Sequence, residues 1–181
     1  MKLKIVNKSK HPLKFNHEGD SGKNVSAWFG DNPESLKLFT CVRSEVFYGT
    51  PVTKDYYGNN SVTLQAGHRM QIQTGIFIEV PKGYEIQVRP RSGKSFKKGL
   101  NVILGTVDSN YRGEIKVIVH NISDETFTIT EGEEIAQIVL CPVVHDWETD
   151  EVETLSNTTR GEGGFGSTDV AVGCKDCREE L

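Results

Sequence analysis

The chain has 181 residues, of which 36% are hydrophobic and 25% charged, and its formal net charge is −4. This length suits one domain that carries a tail or an insertion, and it is long enough to bury a core. The negative charge and the lack of interleaved basic and aromatic residues argue against a nucleic-acid binder that works through counterion release.

The chain contains no apolar run long enough to span a membrane. Residues 1–6 have the pattern of a strand rather than of a secretory signal. The sequence therefore predicts a cytoplasmic protein, in the host cytosol if the source is viral, that makes no contact with membranes.

Short β-rich runs alternate with turns along a chain that contains 18 glycines. Such runs predict strands, and the Gly- and Pro-containing segments between them predict tight connections. In chain order the predicted strands cover residues 3–6, 62–65, 70–80, 84–88, 102–104, 115–119, 126–129 and 135–139. One short helix is predicted at residues 92–98. Many short strands at close spacing indicate an all-β barrel or jelly-roll sandwich.

Two regions interrupt this pattern. Residues 30–60 are polar and rich in turns, which predicts an inserted, elaborated hairpin; its aromatic side chains fit either packing on the same domain or a surface for a protein partner. Residues 148–153 are acidic, as a solvated linker would be. The predicted organisation is a β domain (1–147), a linker (148–159), a glycine-rich arm (160–168) and a polar tail (169–181).

The arm combines a cation, an aromatic ring and hydroxyl groups with four glycines among residues 161–167. Glycine lets backbone N–H groups wrap around an anion. Arg160 suits phosphate oxygens, Ser167 and Thr168 can donate hydrogen bonds, and Phe165 can stack on a base. The alternative is a disordered tail. The segment is not a Walker loop, because it lacks G-x4-G-K-[ST].

Three upstream segments can also carry chemistry. Asp108, in V-D-S-N-Y-R-G, follows an apolar run and can serve as a general base. Tyr111 of the same segment can pack on a ligand ring. The alternative is an ordinary turn that Asp108 caps. Arg91 stands beside the Ser-Gly start of the short helix, and the free N–H groups there together with this cation suit a phosphate. The alternative is a solvated basic turn. Gln137 interrupts an apolar run, and a buried Gln requires partners.

The cysteines fit no zinc motif. Cys174 and Cys177 form one C-x2-C pair, which supplies two of the four ligands that zinc requires. A structural or incidental role is the preferred interpretation of this pair.

The chain carries four motifs in a fixed order: P-R-S-G, G-x-V-D-S-x-Y-R-G, E-G-x-x-I-A-Q and R-G-x-G-G-F-G-S-T. Together they resemble the motifs of the trimeric dUTP pyrophosphatase (dUTPase) family. The resemblance covers residues from about 70 to 168. It implies a jelly-roll or distorted β-barrel with one short helix and a flexible C-terminal arm. It also implies Mg²⁺-assisted hydrolysis of dUTP to dUMP and pyrophosphate by a homotrimer whose subunits share each site.

The resemblance also implies a role for each matching residue. Asp108 would activate the water that attacks the α-phosphorus, and Tyr111 would pack under the deoxyribose and exclude a 2′-hydroxyl. Contacts with the phosphates would come from Arg91, Ser92, Gly93, Gln137, Arg160, Gly166, Ser167 and Thr168. Phe165 would stack on the uracil.

Two positions depart from the family pattern. Asn24 stands where the first motif has an aspartate that holds Mg²⁺ through water, so we expect weaker use of Mg²⁺ unless Asp20 compensates. Val102 stands where many members have an asparagine that reads uracil, which predicts recognition by the backbone groups of this segment instead. These departures and the insertion are compatible with a phage source.

Two alternatives remain at this point. A dCTP deaminase of the same fold, which can be bifunctional, is disfavoured by the intact D-S-x-Y-R-G and G-G-F-G-S-T segments. A weakly catalytic dUTPase-like regulator, with the insertion as its partner surface, is compatible with Asn24. A serine hydrolase is disfavoured because the chain has no G-x-S-x-G.

Overall fold

The computed structural model describes residues 1–33, 37–42 and 45–163, and for residues 37–42 and 45–49 it describes the backbone alone. The chain divides into two units, Met1–His145 and Asp146–Leu181. All strands and the helix described below belong to the first unit. In the described part of the second unit, residues 146–163 form turns, bends and irregular segments without a helix or a strand.

The described residues of the first unit form fourteen strands and one helix. In chain order they are β1 (Lys4–Asn7), β2 (Lys23–Ser26), β3 (Lys37–Val42), β4 (Glu45–Pro51), β5 (Thr53–Lys54), β6 (Asn60–Leu64), β7 (Arg69–Ile72), β8 (Ile76–Glu79), β9 (Tyr84–Arg89), α1 (Ser92–Lys98), β10 (Leu100–Val102), β11 (Gly105–Val107), β12 (Val117–Asn121), β13 (Phe127–Thr130) and β14 (Glu134–Pro142).

The strands form four antiparallel sheets, with the orders β1-β8, β10-β12-β7-β3-β4, β11-β9-β14-β2 and β13-β6-β5. Because side chains alternate along a strand, each sheet turns one face inward. Ile78, Ile72, Ile135 and Leu64, one from each sheet, are all buried in a single apolar cluster. The predicted all-β fold of the jelly-roll type with one short helix is therefore confirmed.

The predicted helix coincides with α1, but two of the predicted strands differ from those observed. The single strand predicted at 70–80 is two strands in different sheets, β7 and β8. Gly75 lies between them with a φ of 68°, a left-handed conformation that breaks an extended run. The strand predicted at 102–104 is replaced by β10 and β11, which also belong to different sheets.

Residues 30–60 contain the hairpin of β3 and β4. β3 also pairs with β7, with Thr40 opposite Met70 and Cys41 opposite Arg69, so the hairpin extends the five-stranded sheet. Tyr56 and Tyr57 follow β5 and are almost fully exposed. The side chains of Phe47 and Tyr48 lie outside the described atoms. The partner surface proposed for this region stays a prediction.

The single helix of the described ranges, α1, has seven residues. No helix there is long and apolar enough to cross a membrane.

Candidate active site

The four-stranded sheet brings three predicted site segments together. On the central strand β14, Gln137 lies directly opposite Asn24 of β2 on one side and opposite Arg89 of β9 on the other. Directly opposed residues on antiparallel strands project from the same face. The Gln137 side-chain Nε2 also donates a hydrogen bond of 3.1 Å to the carbonyl of Pro90. Gln137 therefore connects the first motif to the turn that precedes α1.

The start of α1 presents backbone amides beside a cation. Arg91 is the N-cap residue, and its carbonyl accepts hydrogen bonds from the amides of Lys94 and Ser95, both at 3.0 Å. The amides of Ser92 and Gly93 belong to the first turn, where an α-helix has no internal acceptor for them. Apart from its chain neighbours and the backbone of its own helix, no atom of the described residues lies within 4 Å of a Cβ added at Gly93. The space beside Gly93 is therefore open.

These residues line one cleft of about 440 Å³, which we call the helix cleft. Its walls contain five of the predicted site residues: Asn24, Arg91, Ser92, Gly93 and Gln137. They also contain six residues that the sequence motifs did not single out as contacts: Asn16, His17, Asp20, Lys94, Lys97 and Lys98. The helix cleft is thus rich in cations and helix-start amides, as an anion site requires.

Two carboxylates at the start of β14 pair with cations of the helix cleft. Glu134 contacts Nη1 of Arg91, and Glu133 contacts Nζ of Lys94. Glu134 also accepts a 3.0 Å hydrogen bond from Nδ2 of Asn16. Partial burial raises the pKa of Glu134, but the hydrogen bonds from Arg91 and Asn16 outweigh it and hold that pKa below its usual range. The sequence motif treated both glutamates as variable positions.

The end of the helix cleft nearest β2 carries oxygen donors suited to a hydrated metal ion. Asn24 is 6% exposed. The Asp20 carboxylate accepts hydrogen bonds from the amides of His17 (2.9 Å) and Asn16 (3.1 Å), and the first of these is the main reason that its pKa is lowered. The described residues hold no group of three or more His, Cys, Asp or Glu side chains placed so that they could bind a metal ion by themselves. Mg²⁺ carried by a triphosphate needs few protein ligands, so Asn24, Asp20 and Gln137 fit such an ion.

Asp108 and Tyr111 line a different cavity, of about 270 Å³, which we call the loop cleft. Asp108 directly follows β11, and its side chain is exposed. Its carbonyl accepts a 3.1 Å hydrogen bond from the amide of Tyr111. Nη1 of Arg112 donates 2.8 Å hydrogen bonds to the carbonyls of Ser109 and Tyr111. The loop that carries both predicted residues is therefore held by its own arginine.

The position of Tyr111 depends on its two neighbours Gly113 and Glu114. The Tyr111 hydroxyl donates a 3.0 Å hydrogen bond to the carbonyl of Glu114, and a Cβ at Gly113 would overlap the phenol ring. The Glu114 carboxylate accepts hydrogen bonds from the amides of Thr74 (3.1 Å) and Gly75 (2.8 Å). Glycine at position 113 is thus explained by the close approach of the ring and not by the turn alone.

The side chain of Val102 does not face a ligand. It is 3% exposed, in the core, whereas its neighbour Asn101 lies opposite His120 in the five-stranded sheet. β10 and β11 are edge strands of their respective sheets. Each therefore keeps main-chain groups along one edge without a neighbouring strand in the described sheets.

The described part of the arm is a short turn. Nε of Arg160 donates a 2.7 Å hydrogen bond to the carbonyl of Gly163. Phe165, Gly166, Ser167 and Thr168 lie outside the described residues, as do Cys174 and Cys177.

Comparisons with known proteins agree with the motif pattern. The family model of dUTPase matches residues 54–169. A deoxyuridine 5′-triphosphate nucleotidohydrolase of Finegoldia magna is 42% identical over 171 residues, which cover 93% of this chain and 99% of the relative.

Two solved structures share the fold. A point mutant of the dUTPase of Staphylococcus bacteriophage 80alpha, with dUpNHpp, matches with a TM-score of 0.68 and 22% identity over 93% of this chain and 99% of that one. A point mutant of the phage phi11 dUTPase, described with a coordinated structural Mg(II) ion, matches with a TM-score of 0.60 and 19% identity over 85% and 98% of the two chains. With the family match and the 42% identical relative, the conclusion is that this chain belongs to the dUTPase family.

Proposed function

We propose that this protein is a dUTP diphosphatase that hydrolyses dUTP to dUMP and pyrophosphate. The observation that carries the proposal is the helix cleft, where Arg91 and the open amides of Ser92 and Gly93 lie beside Asn24 and Gln137. A cleft of this chemistry suits a phosphate chain. The family match and the Finegoldia magna relative supply the nucleotide and the reaction.

In this proposal the helix cleft binds the phosphates and holds the α-phosphorus in place. Phosphoryl transfer depends mostly on positioning and on stabilisation of developing charge. Arg91 offers a planar set of N–H donors, and the first-turn amides of Ser92 and Gly93 add donors that belong to the backbone. Asn24, Asp20 and Gln137 would hold a Mg²⁺ ion bound to the triphosphate, and the ion would neutralise part of the phosphate charge.

Asp108 is the proposed general base. Its carboxylate takes a proton from a water molecule as the water oxygen forms a bond to the α-phosphorus. The bond from that phosphorus to the bridging oxygen breaks, and pyrophosphate leaves with the bonding electrons. Tyr111, held by the Glu114 carbonyl, packs under the deoxyribose where a 2′-hydroxyl would clash.

We further propose that each complete site forms between subunits of a homotrimer. Asp108 and Tyr111 line the loop cleft, and neither residue lines the helix cleft. An assembly of several copies allows the loop cleft of one subunit to complete the helix cleft of another. The arm of a neighbouring subunit, different from the one that supplies Asp108, then closes the site: Arg160 contacts the γ-phosphate, Phe165 stacks on the uracil, and Gly166, Ser167 and Thr168 follow the phosphates.

The proposed base recognition relies on the main chain of β10 and β11. Val102 is buried, so its side chain cannot read the uracil edge. Backbone donors and acceptors along the two strand edges can discriminate, because a mismatched exocyclic group leaves buried polar groups unpaired.

Release of pyrophosphate from dUTP, dCTP, dTTP and UTP in the presence of Mg²⁺ tests the proposed function. We expect dUTP to be strongly preferred, without ammonia release from dCTP. Equal rates with dCTP would contradict the uracil assignment, and ammonia release would favour the deaminase alternative. No pyrophosphate from dUTP would contradict the function itself.

Asn24→Asp is expected to lower the Mg²⁺ concentration that gives half-maximal turnover. A carboxylate at this buried position adds a negative charge toward the hydrated ion, whereas the amide offers only a dipole. The measurement is a Mg²⁺ titration of turnover, repeated for Mg²⁺-dependent binding of the non-hydrolysed analogue dUpNHpp. Asn157→Asp, which makes the same change at an exposed linker position outside the helix cleft, is the control. An identical half-saturation for Asn24→Asp and the unchanged protein would contradict the role of this position.

Gly93→Ala is expected to separate stability from activity. The added methyl group meets no atom of the described residues beyond its own helix and chain neighbours, and alanine in a helix is favoured over glycine by about 0.5–1 kcal/mol. The melting temperature should therefore stay the same or rise. Turnover should fall by at least about tenfold, because the methyl group occupies space where a phosphate approaches the backbone. Unchanged turnover would show that no ligand lies against Gly93.

A further inference from the structure

The guanidinium of Arg91 forms an ion pair with the carboxylate of Glu134. Both side chains are about three-quarters buried, with exposures of 27% and 29%. Arg91 lines the helix cleft, whereas Glu134 does not. The contact uses Nη1 of Arg91, and a guanidinium carries five N–H donors in a fixed plane. In the described part of the chain the other donors of Arg91 make no side-chain hydrogen bond, so they can serve a ligand.

Glu134 is itself held by a second partner. Nδ2 of Asn16 donates a 3.0 Å hydrogen bond to the same carboxylate oxygen that contacts Arg91. The main-chain N–H of Asn16 donates a hydrogen bond to the carboxylate of Asp20, and Asp20 also lines the helix cleft. A continuous set of hydrogen bonds therefore joins the loop before β2 to the cation at the start of α1.

This arrangement reduces the cost of ordering Arg91. A long, unpaired arginine loses rotamer freedom when it binds a phosphate. Arg91 has already lost that freedom through Glu134. Glu134 occupies one edge of the guanidinium and so fixes its orientation. The N–H donors of the remaining edge stay available to a ligand. Lys97 and Lys98, which also line the helix cleft, add two further cations despite the added carboxylate.

We propose that Glu134 is a positioning residue that, together with Asn16, fixes the Arg91 guanidinium toward the phosphate chain of the nucleotide. The inference rests on the proposed function and adds to it a residue that the dUTPase-like motifs leave variable. Glu134 acts through Arg91 and does not touch the substrate.

The test is a double-mutant cycle on the full-length chain, read as dissociation constants for dUpNHpp and for dUMP. We expect Glu134→Ala to weaken dUpNHpp binding by about tenfold, within the range of couplings between contacting residues, and to change dUMP binding little. Glu134→Gln, which keeps an acceptor oxygen, should recover most of the affinity. In an Arg91→Ala background, Glu134→Ala should cause no further loss.

Glu131→Ala is the matched control. It removes a carboxylate from the same turn, but among the described residues this carboxylate accepts a hydrogen bond from Asn60 and contacts no cation of the helix cleft. If Glu134→Ala does not fold, Asn16→Ala tests the same link: we expect a smaller loss that also disappears in the Arg91→Ala background. Unchanged or tighter dUpNHpp binding by the Glu134 variants, or an equal loss without Arg91, would overturn the positioning role. Failure of the unchanged protein to bind dUpNHpp would instead overturn the proposed function, and the positioning role with it.

Discussion

Asp108→Asn is expected to lower kcat for dUTP by about 10³-fold, within the range that loss of a general base costs. The amide keeps the shape of the side chain but cannot take a proton from the attacking water. The loop should keep its conformation, because Arg112 and the Tyr111 amide bind main-chain carbonyls that the substitution leaves in place. The dissociation constant of dUpNHpp should therefore change by no more than about threefold.

The measurement combines steady-state turnover of dUTP with calorimetric binding of dUpNHpp. Asp124→Asn makes the same chemical change at another exposed loop position and is the control. Substantial turnover by Asp108→Asn would mean that another group activates the water.

Truncation after Asn157 is expected to abolish turnover while the protein stays folded and keeps the proposed trimeric assembly. It removes Arg160 and the whole glycine-rich segment, so no arm excludes bulk water from the phosphates. All buried apolar residues of the described ranges belong to the unit Met1–His145, so the melting temperature should change little.

Turnover and sedimentation velocity of the truncated protein check this expectation. A second truncation after Thr168, which removes the polar tail alone, should retain activity. Retained turnover after truncation at Asn157 would contradict the role of the arm, and loss of the trimer would show that the segment also holds the assembly together.

Local sequence patterns predicted much of the fold because they report local physics. The Ser-Gly start marked α1, and alternating or short β-branched runs marked most of the strands. The prediction of a single strand at 70–80 was wrong because the run is apolar on both sides of Gly75. The left-handed conformation of Gly75, which ends the extended run, is not visible in the sequence pattern. The strands β3 and β4 were foreseen only as a hairpin, since residues 30–60 are polar and lack a clear period of two.

The candidate site was predicted in its parts but not in its arrangement. Motif order named Arg91, Gln137 and Asp108, yet strand pairing decides that Gln137 meets Asn24 while Asp108 lines another cleft. The bond between Arg91 and Glu134 joins residues far apart in sequence, so no local pattern predicts it. The contact between Gly113 and the Tyr111 ring appears only in three dimensions.

The central claim is that one active site combines the Asp108 loop of one subunit with the arm of a different subunit. Co-refolding equal amounts of Asp108→Asn and the Asn157 truncation tests it directly, since each chain is inactive by itself. If the loop and the arm come from different subunits, mixed trimers should recover roughly a quarter of the normal turnover, because half of the subunits supply each intact part independently. Turnover that stays at the level of the separate variants would contradict the shared site.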